Sequence, residues 1–286
     1  MIRESGLWLT IVSCIWKAHK LIIMEFSTYK GNNLPILLSE TSQRKNGRLR
    51  SFIMFAMMVL LLLPVILQAQ SQLNPESVLL SEDFESGLGD RWVEKGFPGI
   101  SRRNVFSLDR EVNGNHYLKV RSSSSYSGKG VYLNFSPEEC PLVSWRWKIG
   151  NIVERADITR KEGDDAAAKL YVIFDGPSFW NPLDKRILVY VWDNVAPVGA
   201  VLNNVWLPEK ERMLIVESGK ANVGQWVEER IHLFADFRRA FPGEEPGEVE
   251  GLAFLSDTDN TQSQVTAGFD DLMIRCENPV AETLIK

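Results

Sequence analysis

The sequence is poor in the residues on which most catalytic chemistry relies. Its 286 residues include three histidines and three cysteines, and beyond residue 69 only His116, His232, Cys140 and Cys276 remain. A three-histidine metal centre within one chain is thereby excluded. The Gly-x-Ser-x-Gly, His-Glu-x-x-His and P-loop signatures are absent. So is the Glu-x-Asp-x-Glu strand that sets a nucleophile and an acid on one sheet face in jelly-roll retaining glycosidases. Positive charge is also scarce after the start of the chain. Residues 1–69 carry +5 and residues 70–286 carry −10, within a total of −5. A body of that sign lacks the basic footprint that phosphate binding needs, so no nucleic-acid partner is expected. With 44% hydrophobic and 10% aromatic residues, the composition excludes disordered and collagen-like classes.

The one long apolar run lies early, at residues 53–67. The basic stretch Arg44-Lys45-Asn46-Gly47-Arg48-Leu49-Arg50 precedes it, and Gln68-Ala69-Gln70 follows. A basic region, an apolar region and a small residue at the exit describe a secretory signal peptide, with cleavage expected after Ala69. An uncleaved membrane anchor is the alternative, and Pro64 with the polar exit argues against it. The preceding residues are too many for an ordinary signal, and Met24 and Met54 offer later starts. Residues 1–69 are therefore read as an extension plus signal, and 70–286 as a single exported domain without a membrane span, periplasmic or extracellular. In an oxidising compartment Cys140 and Cys276 can form one disulfide or stay as two buried thiols.

From residue 78 onward, short apolar runs alternate with Gly, Pro, Asn, Asp and Ser clusters. Strands are expected at 78–84, 103–109, 116–122, 129–135, 142–149, 167–175, 186–193, 211–218, 225–233, 249–256 and 267–275. One short helix is expected at 235–241, with Asp236 as cap. This pattern specifies an all-β, two-sheet antiparallel β-sandwich of jelly-roll type.

Alternation within strands sorts side chains onto two faces. Val143, Trp145, Trp147 and Ile149 are assigned to the core, as are Leu170, Val172 and Phe174, and Ile187, Val189 and Val191. The opposite faces then carry Arg146, Lys148, Lys169, Tyr171, Arg186, Tyr190 and Trp192. If the strands are neighbours, these residues form one aromatic and charged platform. Such a surface suits a polysaccharide or oligosaccharide, whose C–H faces stack on rings while its hydroxyls and carboxylates meet charged groups. An outer face held together by cross-strand pairs alone is the competing reading.

Four acidic clusters stand out: Glu82-Asp83-Phe84-Glu85, Asp164-Asp165, Asp257-Thr258-Asp259 and Asp270-Asp271. Clustered carboxylates suit Ca²⁺, but Asp257-x-Asp259 fails as an EF-hand loop. Gln262 stands where its glycine belongs and Gly268 where its glutamate belongs.

The ordered motifs Trp145-Arg146-Trp147-Lys148, Gly163-Asp164-Asp165-Ala166-Ala167, Tyr171-Val172-Ile173-Phe174-Asp175, Tyr190-Val191-Trp192, Phe237-Arg238-Arg239-Ala240-Phe241 and Ser256-Asp257-Thr258-Asp259-Asn260-Thr261 resemble the bacterial family called domain of unknown function 3047. That resemblance implies a domain identity over most of 78–276 and no catalytic residue. A looser resemblance links Asp83-Phe84-Glu85-Ser86-Gly87 and Phe269-Asp270-Asp271-Leu272 to jelly-roll carbohydrate-binding modules. It implies a structural Ca²⁺ held by Glu85 with Asp270 or Asp271.

Three classes of function follow. The first is a glycan-binding module, and the second a carbohydrate-active enzyme, lyase before hydrolase, with Tyr190, Arg186 and His232 as base/acid, charge neutraliser and assistant. The third is a structural envelope protein. Tyr190 and His232 within hydrogen-bond reach would favour the enzyme, whereas a platform buried under 194–210 would remove the first two.

Overall fold

In a computed structural model, the described residues are 77–96, 99–176 and 184–277. The leader and its cleavage position lie outside them. No helix among the described residues is long and apolar enough to cross a membrane.

The alternating runs become strands, and among the described residues they form two sheets. The first sheet has six strands: β1 (Ser77–Glu82), β3 (Val105–Arg110), β4 (His116–Ser123), β6 (Leu142–Ile149), β11 (Val227–His232) and β13 (Gln264–Cys276). They are ordered β11-β6-β13-β4-β3, with β1 also on β13. The second has seven: β2 (Trp92–Gly96), β5 (Tyr126–Phe135), β7 (Ala166–Phe174), β8 (Arg186–Asp193), β9 (Val201–Asn203), β10 (Glu211–Ser218) and β12 (Val249–Asp257). Their order is β2-β5-β12-β7-β8-β10-β9. The β-sandwich expectation holds, with β2 and β9 added. Pairing is antiparallel except between β8 and β10, which run parallel. Parallel neighbours need a long return, and 194–210 makes it across the outer face of the seven-stranded sheet.

The helix, α1 (Leu233–Ala240), begins two residues before the expected range and is capped by His232, whose Nδ1 accepts from the Ala235 N–H. Asp236 instead sits in its first turn. Leu233, Phe237 and Ala240 are its buried face.

The core lies between the sheets. Trp145 and Trp147 of β6 meet at 5.3 Å and reach Tyr190 and Trp192 of β8 at 5.5 and 5.9 Å. Phe254 of β12 stacks on Phe269 of β13 at 4.5 Å. Truncating one such ring to alanine costs about 3–5 kcal/mol. Cys140 and Cys276 are joined as a disulfide, which ties the β5–β6 connection to the end of β13.

Two expectations of face are corrected here. Leu188, Tyr190 and Trp192 belong to the core between the sheets, whereas Val189 and Val191 lie on the outer face with Tyr171, Met213, Ile215 and Leu255. Both parities of β8 are apolar because the outer face is covered over β8 and β10. Ile158, Ala196, Ala200 and Leu202 pack with these residues as a second apolar cluster.

Candidate functional site

The platform expected from strand parity divides between the two sheets. Arg146 and Lys148 project from the outer face of the six-stranded sheet, the face opposite the core residues Trp145 and Trp147. There they pack over Trp226, at 4.8 Å each, and Lys148 also lies 4.2 Å from the Tyr117 ring. Arg146 bonds Asp270 at 2.6 Å and Asp271 at 2.8 Å, and Lys148 pairs with Glu111. Arg146 and Lys148 are thus both ion-paired with carboxylates on or next to strands of the same sheet, as in ordinary cross-strand pairing.

The lyase trio is also taken apart. Tyr190 is buried and donates to Asp236 Oδ2 at 3.1 Å, while His232 caps α1. Arg186 pairs with Glu244 at 2.7 Å and Asp184 at 3.0 Å. Each of the three has a structural partner, and Tyr190 does not meet His232. Trp192 donates its indole N–H to the Gly219 carbonyl at 3.2 Å.

Glu85, Asp270 and Asp271 are not gathered into one ligand set. Glu85 accepts from the His116 backbone and ring, at 2.7 and 2.8 Å. The Arg146 guanidinium occupies Asp270 and Asp271 in the way a cation would. The irregular register of β13, with Asp271 at φ 49°, buries Asp270 and turns Asp271 outward.

What the second sheet does present is a groove of about 690 Å³ on its outer face. Register explains it. Tyr132 lies beside Gly251, Gly130 beside Ala253 and Gly128 beside Leu255, while Ala253 lies beside Tyr171 and Gly251 beside Ile173. Val93 and Lys95 of β2 complete the same rows next to Gly130 and Gly128. Small residues therefore run down the middle, and larger ones stand on either side. A Cβ on Gly130 would meet the Leu252 carbonyl at 2.8 Å, and one on Gly251 the Val131 carbonyl at 2.7 Å. Neither position accepts a side chain without moving the backbone of the next strand.

One wall carries Tyr132, which is 68% exposed, with the Lys95 ammonium 5.4 Å from its ring centre. The other carries Tyr171, Ile173, Ile187, Leu207 and Glu211. Leu207 is set there by Asn204, whose side-chain oxygen accepts from the backbone N–H groups of Trp206 and Leu207 at 2.8 and 2.9 Å.

Behind the second wall runs a buried polar line. Tyr171 donates to Glu211 Oε1 at 3.3 Å and shares a hydrogen bond with Tyr126 at 2.8 Å. Burial lifts Glu211 to about 7, opposed by Lys169 and reinforced by Asp164. Burial, then the Glu211 charge, holds the Tyr171 phenol well above its ordinary range, so it remains a donor. Next comes Lys169, 1% exposed, with Nζ 2.9 Å from Asp257 Oδ2 and 3.9 Å from Asp164 Oδ1. Burial works against its charge, but Asp257 and Asp164 outweigh it and raise its pKa well above normal. Of the platform residues, Tyr171 thus lines the groove, and Lys169 stands two residues before it on the same strand.

A family model described as a protein of unknown function, DUF3047, matches residues 90–273. The chain belongs to this family. No curated protein matches it. Among solved structures, the DUF3047 chain is similar to the CBM22-1–CBM22-2 tandem domain of Xyn10C from Paenibacillus barcinonensis, at 16% identity and TM-score 0.38. That match covers 74% of this chain and 48% of the other, so the chain spans about half its length. It is also similar to the cellulose-induced protein Cip1, at 14% identity and TM-score 0.40, over 68% of this chain and 96% of that one. A third likeness is to the family 30 carbohydrate-binding module of Cel9D-Cel44B from Clostridium thermocellum. Its identity is 12% and its TM-score 0.35, over 72% and 98% of the two chains. At these identities and scores none of the three fixes a ligand for this DUF3047 member.

Lys95, Tyr126, Tyr132, Glu211 and Glu250 escape the sequence reading, as do the groove glycines. The signal was present in Tyr126-x-Gly128-x-Gly130-x-Tyr132-x-Asn134, which places two rings and two glycines on one strand face. Glycine weakens a strand pattern, so the strand is read as starting at 129.

Proposed function

We propose that this protein is an exported glycan-binding module whose ligand lies in the groove of the seven-stranded sheet. The observation that carries this reading is the arrangement of the groove. An exposed Tyr132 ring stands over a floor of Gly128, Gly130, Gly251 and Ala253, with Lys95, Glu211 and Glu250 at its sides. A sugar ring has flat C–H patches for the tyrosine and hydroxyls for the charged groups. A bare backbone floor lets a flat chain approach closely, as a floor of bulky side chains would not. The Cys140–Cys276 bond and the basic-then-apolar leader support an oxidising destination outside the cytoplasm.

The test uses the purified protein in affinity electrophoresis against neutral and acidic polysaccharides, with product analysis by mass spectrometry. Retardation by at least one polymer that emerges intact is the expected result. Fragments with added water or an unsaturated end would replace the binding reading with an enzyme. Absence of retardation on every polymer would overturn it in favour of a structural envelope role.

A further inference from the structure

Asp165, Asp257 and Asp259 each place a carboxylate oxygen within 4.8 Å of the other two. Asp165 precedes β7, and the other two stand at the end of β12 and just beyond it. An acidic cluster of this kind is common at turns, and Asp165 has an evident turn role. Its oxygens accept from the Asn260 N–H at 3.1 Å and from the Thr261 N–H and hydroxyl at 2.7 and 2.5 Å.

Asp257 is different. Its side chain is 5% exposed, and Oδ2 takes the Lys169 ammonium. Oδ1 is buried and has no hydrogen-bond partner among the protein's groups. The Asp259 and Asp165 carboxylates each bring an oxygen within 4.8 Å of this carboxylate. Acceptors therefore crowd a carboxylate that has one buried, unpaired oxygen, an arrangement that a cation among them would relieve. A second oxygen, Asp164 Oδ1, is also buried without a hydrogen bond. The ammonium here, that of Lys169, lies against Asp257 at 2.9 Å and Asp164 at 3.9 Å. Nearby Arg155 does not relieve them, because it donates to the Thr261 carbonyl.

We infer that Asp257, Asp259 and Asp165 bind one Ca²⁺ ion. The donors are all carboxylate oxygens, which suit a hard cation and not a thiolate- or imidazole-seeking one. Ca²⁺ holds its ligands at about 2.3–2.6 Å with flexible geometry, so oxygens separated by up to 4.8 Å can share it. Each carboxylate offers about four lone-pair sites, so Asp165 can keep its turn hydrogen bonds and still contribute. The ion would fasten the start of β7 to the turn after β12. Through Lys169, Tyr126 and Tyr171 it would also steady one wall of the groove. The site stands on its own geometry, whatever occupies the groove.

The test is calorimetric titration of the EGTA-treated protein with CaCl₂, and with MgCl₂ in parallel. It is accompanied by terbium luminescence excited through tyrosine and by thermal melting. One Ca²⁺ per chain is expected, with a melting temperature several degrees higher at saturating Ca²⁺. Asp259→Asn, at a partly exposed position, should weaken binding at least tenfold while circular dichroism stays unchanged. Asp271→Asn should leave binding as it is. No heat and no melting shift for the wild type would mean that Asp257 and Asp259 share a proton, and would overturn the site. Binding of Mg²⁺ alone would overturn the choice of ion, and loss of binding in Asp271→Asn would overturn the location. The wild-type titration decides the question even if a variant fails to fold.

Discussion

Lys169 Nζ and Asp257 Oδ2 meet at 2.9 Å with both side chains almost fully removed from water. Such a pair is weak evidence for stability, but half of one is costly. In EGTA, Lys169→Met leaves Asp257 buried without a counter-charge and should cost about 3–5 kcal/mol in urea unfolding. Lys169→Met combined with Asp257→Leu should recover most of that loss. A single variant within about 0.5 kcal/mol of wild type would show that the pair does not matter to the fold.

The groove reading gives a sharper pair of variants than deletion of a loop. Tyr132 is 68% exposed, so Tyr132→Ala should leave stability within about 0.5 kcal/mol. It should weaken binding of a retained polysaccharide about fivefold, the loss of one ring contact of about 1 kcal/mol. Ala253→Leu puts bulk into the floor between Gly130 and Tyr171 and should abolish retention altogether. Affinity electrophoresis beside urea unfolding separates the two effects.

Glu211 makes stability depend on pH in an unusual direction for a carboxylate. Folded, it keeps its proton up to about 7, whereas unfolded it ionises near 4.5. Between those values the unfolded chain binds fewer protons than the folded one, so stability falls as pH rises. The loss amounts to about 3 kcal/mol across that window and is flat above it. Glu229, lifted to about 7 chiefly by burial, acts in the same direction. Melting curves from pH 4.5 to 8 should show the slope, and Glu211→Gln should flatten it and raise the melting temperature at pH 8. An unchanged slope in both Glu211→Gln and Glu229→Gln would refute this assignment.

Tyr190 and His232 are expected to matter for folding and not for ligand. Tyr190→Phe removes the donor to Asp236 and should cost about 1–2 kcal/mol. His232→Ala removes the helix cap, at about 1 kcal/mol. Polysaccharide retention by both variants should match the wild type, and a selective loss of it in either would return these residues to the functional site.

How far the sequence reveals this molecule depends on how many environments a strand touches. On β6 one side of the alternation is Trp145 and Trp147 and the other is Arg146 and Lys148, so a single core determines the faces. On β8 every second residue is apolar in both registers, since loops cover its outer face, and the pattern cannot say which side is the core. The groove was illegible for a related reason, being formed where side chains are missing. The acidic clusters were visible as clusters. Which of them would meet was set by the pairing of β7 with β12 and by Arg146 claiming Asp270 and Asp271.

The pairing of β1 with β13 joins the first described strand to the last. Its partners can meet only after the intervening chain has been drawn together, and β5–β12 and β4–β13 impose the same delay. A topology so dominated by distant contacts folds in about milliseconds to seconds, not microseconds. During that interval the edges of both sheets lie open, and a second unfolded chain can pair with them as readily as the native strand does.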